Sequence, residues 1–208
     1  FLTPGLVGGV TTPLNVDIGP HRRFDWLRLD LAEVKEIKKK LGGTLNDVVL
    51  ATVAGAVRRF LEGRGVGVDE LPFRAQVPMN IRTAEEHGDL GNRVVILLAD
   101  LPVAEADPRE RYQKVLATME QIKSSHQAKG AELLEKIGDW TAKEFLGALA
   151  QITGRQIAYN IVVTNIPGPP FPVNLLGARM TEIYPLVPLF SNQAIGIADT
   201  EGHGGGAL

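Results

Sequence analysis

The sequence predicts an α/β protein, a two-layer sandwich in which helices cover a mixed sheet. Three observations carry that reading. Apolar, β-branched runs of strand length are interspersed with amphipathic stretches long enough for helices. The helices are unequal and do not alternate regularly with the strands, which argues against β-α-β winding. No G-x-G-x-x-G follows a strand and no G-x-x-x-x-G-K-[ST] occurs; Gly63, Gly65 and Gly67 come after a helix and read as its end and loop. With 208 residues, 44% of them hydrophobic, the chain can bury a sizeable core.

Each element follows in order. Residues 1 to 22 are rich in Gly, Pro and Thr without a sustained period and read as a linker. RFDWLRLDL, Arg23 to Leu31, alternates apolar and charged residues imperfectly and predicts a strand leading into a helix from Ala32 to Leu41, which Gly42 and Gly43 break. Thr44 with Asp47 three residues on is a capping-box pattern, and a helix over Leu45 to Glu62 follows. Its first turns are apolar nearly all round, and Arg58 and Arg59 suit the negative pole at its end. Phe73 to Arg82 and Asn92 to Pro102 predict strands flanking the polar loop TAEEHGDLG. Asp107, Pro108 and Glu110 form a helix start, after which Tyr112, Val115, Leu116, Met119 and Ile122 share one stripe. A further amphipathic helix is expected from about Ala131 to Ile152. NIVVTN, Asn160 to Asn165, predicts a buried strand running into a proline turn, IPGPP; strands are then expected over Arg179 to Leu186 and around Gln193 to Ala198. The domain is read as residues 23 to 198, with 199 to 208 as a glycine-rich, truncated end.

Charge and cysteine content exclude several classes. Lys and Arg total 22 against 24 Asp and Glu, so no basic field argues for a nucleic-acid partner. The chain has no cysteine, which removes disulfides and thiolate metal ligands. No apolar run reaches the roughly 20 residues of a membrane span, and a signal-peptide layout is lacking, so the expected location is cytoplasmic.

Chemistry is sparse. His21 stands four residues before Asp25, an imidazole-carboxylate spacing with no nucleophile nearby; a loop-to-strand junction is the weightier reading. His87, His126 and His203 are scattered, no H-x-x-x-H or H-E-x-x-H occurs, and Ser124, Ser125 and Ser191 lack a G-x-S-x-G elbow. The residues themselves thus show no catalytic centre and no metal site. What remains are polar residues at the ends of apolar elements: Asn46, Asp47, Asn80, Asn92 and Asn165. Capping and turn formation explain such positions equally well.

Three stretches in combination, LGGTLNDVVLATVAGAVRRFL, the PMNIR and GNRVV pair, and NIVVTNIPGPPFPVNLLGARM, resemble the carboxyl-terminal part of the bacterial wax ester synthase/acyl-CoA:diacylglycerol acyltransferases. The resemblance implies a chloramphenicol acetyltransferase-like half, which with a related amino-terminal half of the same enzyme encloses a tunnel. It implies transfer of a fatty acyl group from acyl-CoA, as substrate, to diacylglycerol or a long-chain alcohol, with no cofactor. The family's catalytic H-H-x-x-x-D-G is absent here, so the histidine base is expected in the amino-terminal half and no catalytic residue in this chain. Asn46 and Asp47 match the family's ND motif, and Asn165, Ile166, Pro167 and Gly168 are expected to form a rigid turn bordering the tunnel, with Asn80 and Asn92 as weaker candidates. Lipid substrates suggest peripheral contact with an inner membrane face or lipid droplets, for which the helix from Arg109 to Lys123 is the candidate; an ordinary solvated face is the weightier reading of it. A condensation-type acyltransferase with another acceptor, or a non-catalytic lipid-binding module, are the alternatives.

Overall fold

The computed structural model describes residues 10–80, 94–134, 159–168, 171–189 and 192–201. Helices α1 (Leu31–Leu41), α2 (Leu45–Glu62) and α3 (Pro108–Leu134) accompany strands β1 (Phe73–Asn80), β2 (Val94–Leu101), β3 (Ile161–Pro167), β4 (Asn174–Leu175), β5 (Ala178–Arg179) and β6 (Gly196–Glu201). Four strands form a mixed sheet in the order β2-β1-β3-β6. β1 and β2 pair antiparallel over their full length, from Phe73 opposite Leu101 to Asn80 opposite Val94. β3 runs parallel to β1 on one side and to β6 on the other. β4 and β5 are a separate two-stranded hairpin.

The sheet's alternation decides which side is covered. Phe73, Ala75 and Val77 of β1, Leu97, Ala99 and Leu101 of β2, and Ile161 and Val163 of β3 point to one face. There they join Val48, Val49, Leu50, Val53, Ala54, Val57 and Leu61 of α2 and Tyr112, Val115 and Met119 of α3 in one cluster. The opposite face carries a smaller cluster, in which Tyr159 and Val162 pack with Leu98 and Val187.

α2 begins as expected. The Thr44 backbone N–H donates to Asp47 Oδ2 at 2.7 Å, and the Asp47 N–H donates to Thr44 Oγ1 at 3.3 Å. At the other end Arg58 donates to the carbonyls of Val103 and Ala104, which ties α2 to the chain leaving β2. Arg111 of α3 donates to Ala51 O in the middle of α2. It can do so because residue 55 is glycine: a Cβ there would sit 2.7 Å from the Arg111 guanidinium. Asp107 caps α3, accepting from the N–H groups of Arg109 and Glu110. These donors hold its carboxyl below the usual range.

Several expectations change. Arg23–Leu31 is not a strand: residues 23–30 are extended with a single bridging position at Arg28, and Phe24, Trp26, Leu27 and Leu29 stay 38–53% exposed. An alternating pattern needs a neighbouring strand to become a ladder, and beyond that one bridge no ladder forms along it among the described residues. Of the strand expected over Arg179–Leu186 only Arg179 is found in one, as the last residue of β5. The helix after Asp107 continues without a break to Leu134, so its last four residues include the start of the expected second helix; residues 135–158 lie outside the described ones. Residues 10–16 belong to the packed body, since Leu14 is 2% exposed within the main cluster. Among the described residues no helix is long and apolar enough to cross a membrane.

Candidate functional site

β1 and β3 are joined by only two ladder pairs, Ala75 opposite Ile161 and Gln76 opposite Val162. Both strands continue in the same direction, β1 to Asn80 and β3 to Pro167, without another pair between them. The result is an unladdered seam at the carboxyl ends of two parallel strands, the end at which open α/β sheets place their ligands. Proline contributes to the seam. Pro78 lies in β1 and Pro167 ends β3, and a proline in a strand interior is compatible only where a ladder bond on one side is dispensable.

Two buried acceptors flank the seam. Gln76 is 3% exposed and its Oε1 has no hydrogen-bond partner among the described residues; the side chain lies beside Val162 and Leu98 on the less covered face. Asn165 Oδ1 is likewise buried and unpartnered, on the helix-covered face, where Asn165 stands opposite Asp199 of β6. A buried acceptor without a donor costs about 1–3 kcal/mol, so both atoms require an explanation. Gln76 was not singled out by its sequence; the only signal is an amide between Ala75 and Val77 in a strand that also carries Arg74 and Asn80.

The other expected residues fall as follows. Asn165, Ile166 and Pro167 are not a turn but the last three residues of β3, paired with Asp199, Thr200 and Glu201. β6 holds that half of the strand extended, and the turn can begin only at Gly168. Ile166 is 46% exposed. Asp47 is 2% exposed and used locally: its Oδ2 accepts from both Thr44 N and Thr44 Oγ1 at 2.7 Å, while its Oδ1 has no partner among the described residues. Asn46 is half-buried in the same first turn. Among the described residues no hydrogen bond joins this helix start to the end of β3. Asn80 closes β1 opposite Val94, and Asn92 lies outside the described residues.

Around the Asp47 carboxylate the packing is close. Tyr112 donates its hydroxyl to Gly42 O at 2.6 Å. Burial pushes the Tyr112 phenol above its usual range, and the Asp47 carboxylate adds to the rise. Gly43 has φ 81°, and a Cβ there would run into Leu116 and approach Asp47 Oδ2 at 3.0 Å. On the other face burial pushes the Tyr159 phenol above its usual range.

A second polar group, which the sequence reading passed over, organises the amino end of the seam. Asn160 is fully buried and donates to Val10 O and to Asn15 Oδ1, both at 2.8 Å, while its Oδ1 accepts from Arg74 N at 2.9 Å. Asn15 in turn donates to Asn192 O at 3.1 Å. One amide pair therefore joins the segment before α1, the start of β1, the start of β3 and the approach to β6. His21 and Asp25 are both exposed; Asp25 accepts from Trp26 N, and no bond between His21 and Asp25 is formed. Neither this pair nor any other among the described residues offers a buried imidazole beside a carboxylate.

Comparison with known proteins gives the family. The profile described as WS/DGAT C-terminal domain matches residues 90–200, and that of the wax ester synthase/diacylglycerol acyltransferase catalytic domain matches residues 3–49. The O-acyltransferase WSD of Acinetobacter baylyi is 30% identical over 191 residues, covering 90% of this chain and 40% of the relative. A Mycobacterium tuberculosis protein bearing a diacylglycerol O-acyltransferase name is 32% identical over 191 residues, covering 89% of this chain and 38% of its own length. The chain thus spans about two fifths of the curated relatives it matches. The solved wax ester synthase/diacylglycerol acyltransferase of Marinobacter aquaeolei VT8 superposes with a TM-score of 0.71 at 23% identity, over 96% of this chain and 45% of that one, which establishes a common fold. A nonribosomal peptide synthetase structure shares the fold more distantly, with a TM-score of 0.50 at 17% identity over 95% of this chain and 20% of its own. With a family profile matched over more than half its length, the chain belongs to the wax ester synthase/diacylglycerol acyltransferase family, whose carboxyl-terminal domain it carries.

Proposed function

We propose that this chain is the carboxyl-terminal part of an O-acyltransferase that moves a fatty acyl group from acyl-CoA to the hydroxyl of diacylglycerol or of a long-chain alcohol. The observation that carries the proposal is the match of residues 90–200 to the family's carboxyl-terminal domain. In the reaction the acceptor oxygen attacks the thioester carbonyl carbon, the carbon–sulfur bond breaks, and the hydroxyl proton passes through a general base to the departing CoA sulfur. That base is supplied by a histidine outside these residues. Acyl-CoA is a substrate here, and the chemistry asks for no resident cofactor.

The part played by this chain is positioning. The seam between β1 and β3 borders the substrate tunnel, with Gln76 beside apolar Val162 and Leu98 on the less covered face and Asn165 reaching it from the helix-covered face, each offering an amide to polar substrate atoms. Holding the reacting atoms together without water lowers the barrier through lost translational freedom that binding has already met. Asn46 and Asp47 act one step back: the capping box fixes the start of α2 and so the distance between helix and sheet.

The test is radiolabelled acyl transfer from palmitoyl-CoA to diacylglycerol and to hexadecanol, with the 208-residue chain and with the longer protein that contains it. Transfer by the longer protein alone is expected. Transfer by the short chain would return attention to His21 and Asp25, and transfer by neither would favour a condensation-type acceptor. In the active protein, Asn165→Ala is predicted to lower kcat/KM about 10-fold, from loss of one charge-free hydrogen bond in the transition state. Unchanged activity and unchanged acyl-length preference would remove Asn165 from the wall.

A further inference from the structure

The β4–β5 hairpin carries a residue that its turn does not suit. Asn174 pairs with Arg179 and Leu175 with Ala178, which leaves Leu176 and Gly177 as a two-residue loop. Both have positive φ, 50° and 84°. That is the backbone of a type I′ turn, for which Asn-Gly and Asp-Gly are the favoured pairs. A bulky side chain in the left-handed region crowds the following carbonyl, so leucine there is an outlier. Asn192, the other described non-glycine residue at positive φ, is of a type that tolerates it. Leu176 gains nothing from packing in return, since it is 100% exposed. Phe171, just before the hairpin, is 63% exposed. β4 and β5 form a sheet of their own, extended by one bond from Met180 N to Val173 O. So short a two-stranded hairpin is marginal in water. Backbone strain and full apolar exposure at one tip point to a surface that the tip enters.

We propose that the β4–β5 hairpin is an insertion element for an anionic lipid surface, with Leu176 entering the acyl boundary and Arg179 meeting the headgroups. Charge selects this occupant. No aspartate or glutamate occurs from residue 145 to residue 181, in a chain whose net charge is −2. The one charged side chain of the hairpin is that of Arg179, a complement to anionic headgroups. A lipid layer also accepts a protruding apolar tip without a preformed pocket, whereas a protein partner must supply one. The helix from Arg109 to Lys123 is poorly placed for the same task, because Tyr112, Val115 and Met119 of its apolar stripe are buried in the core. That a lipid surface is at hand rests on the acyltransferase reading, in which the acceptors are lipids. The hairpin would bring the protein to the layer in which such acceptors dissolve.

The experiment is flotation of the longer protein that contains this chain with vesicles of phosphatidylcholine and phosphatidylglycerol, beside its Leu176→Asn variant. That substitution gives the turn its preferred pair with Gly177 and removes the apolar tip, so folding and lipid contact are driven apart. The wild type is expected to float. Leu176→Asn is expected to partition about 10-fold more weakly, the effect of withdrawing one leucine side chain from the acyl boundary. Its melting temperature without vesicles should be unchanged or raised. A wild type that stays at the bottom overturns the proposal, as does equal flotation of Leu176→Asn. A melting temperature lowered by about 3 °C or more in Leu176→Asn overturns it too, because Leu176 is then covered by the rest of the protein rather than by lipid. Acyl transfer to a water-soluble short-chain alcohol, measured without vesicles, separates the two readings. Flotation without transfer upholds the hairpin and removes the assigned reaction, and transfer without flotation does the reverse.

Discussion

Asn160 shows what one buried amide can do. Its side chain uses both donor hydrogens, on Val10 O and Asn15 Oδ1 of the segment before α1, and its oxygen, on Arg74 N of β1. Replacing it with alanine takes these bonds from Arg74 N–H and Val10 C=O and leaves a void at a position that is itself fully buried. Asn160→Ala is therefore expected to cost about 3 kcal/mol, read as a shift of the urea midpoint at constant slope. A loss below about 0.5 kcal/mol, the range of ordinary surface changes, would mean that the clasp is dispensable. Nothing local in the sequence announced it. Asn160 reads as the polar start of a strand and Asn15 as one residue of a Gly/Pro-rich segment, and their partnership spans 145 positions. Asp47 was legible for the opposite reason: the capping box is written within four consecutive residues, and its hydrogen bonds are those the spacing predicts. Gln76 and Asn165 stand between these cases. An amide within a strand is visible in the sequence, but whether its oxygen meets a donor depends on which strand lies alongside.

The helix pair α2 and α3 is where local signals and packing agree. Helix starts at Thr44 and Asp107 are set by side-chain caps, and the stripe of Tyr112, Val115 and Met119 faces the core as its period requires. Tyr112 also carries a polar contact across to the turn before α2. Tyr112→Phe is expected to cost about 1 kcal/mol, since Gly42 C=O loses its donor while the ring stays packed. The pH dependence has a definite sign. The folded state raises the Tyr112 pKa above 10.0 through burial and then Asp47, so the neutral phenol is preferred when folded. That preference is fully satisfied below the unfolded value and is lost as pH rises through the folded one. Stability should fall above about pH 10, and the slope of that fall should be shallower in Tyr112→Phe; equal slopes would mean that Tyr112 does not titrate with unfolding. Strands were less legible than helices. β1, β2 and β3 appeared where apolar runs placed them, but β3 extends through Pro167 because β6 supports it, and Arg23–Leu31 shows a single bridging position, at Arg28, without a ladder among the described residues. A helix closes its hydrogen bonds within itself; a strand's depend on a neighbour that its own residues do not specify.

At the scale of the molecule, the regions matched by the two family profiles share a single core. Leu14 and the first turns of α2 pack in the same cluster as β1, β2 and β3. Urea unfolding of the chain should accordingly be one transition, with helical circular dichroism and Trp fluorescence coinciding; two separated midpoints would show that residues 10–62 and 94–201 are independent units. The fold class was readable from the mixture of elements, and the sheet order was not, because β3 enters between β1 and β6 through contacts far apart in the chain. The Asn15 clasp carries a last implication, for synthesis. Leu14 accepts from Ala194 N, and Asn15 reaches Asn192 O across 177 positions. At about 5–20 residues per second these partners leave the ribosome roughly 10–35 s after Asn15 does. Through that interval Leu14 and Asn15 lack these backbone partners, and they belong to the stretch of nascent chain that a chaperone would be expected to hold.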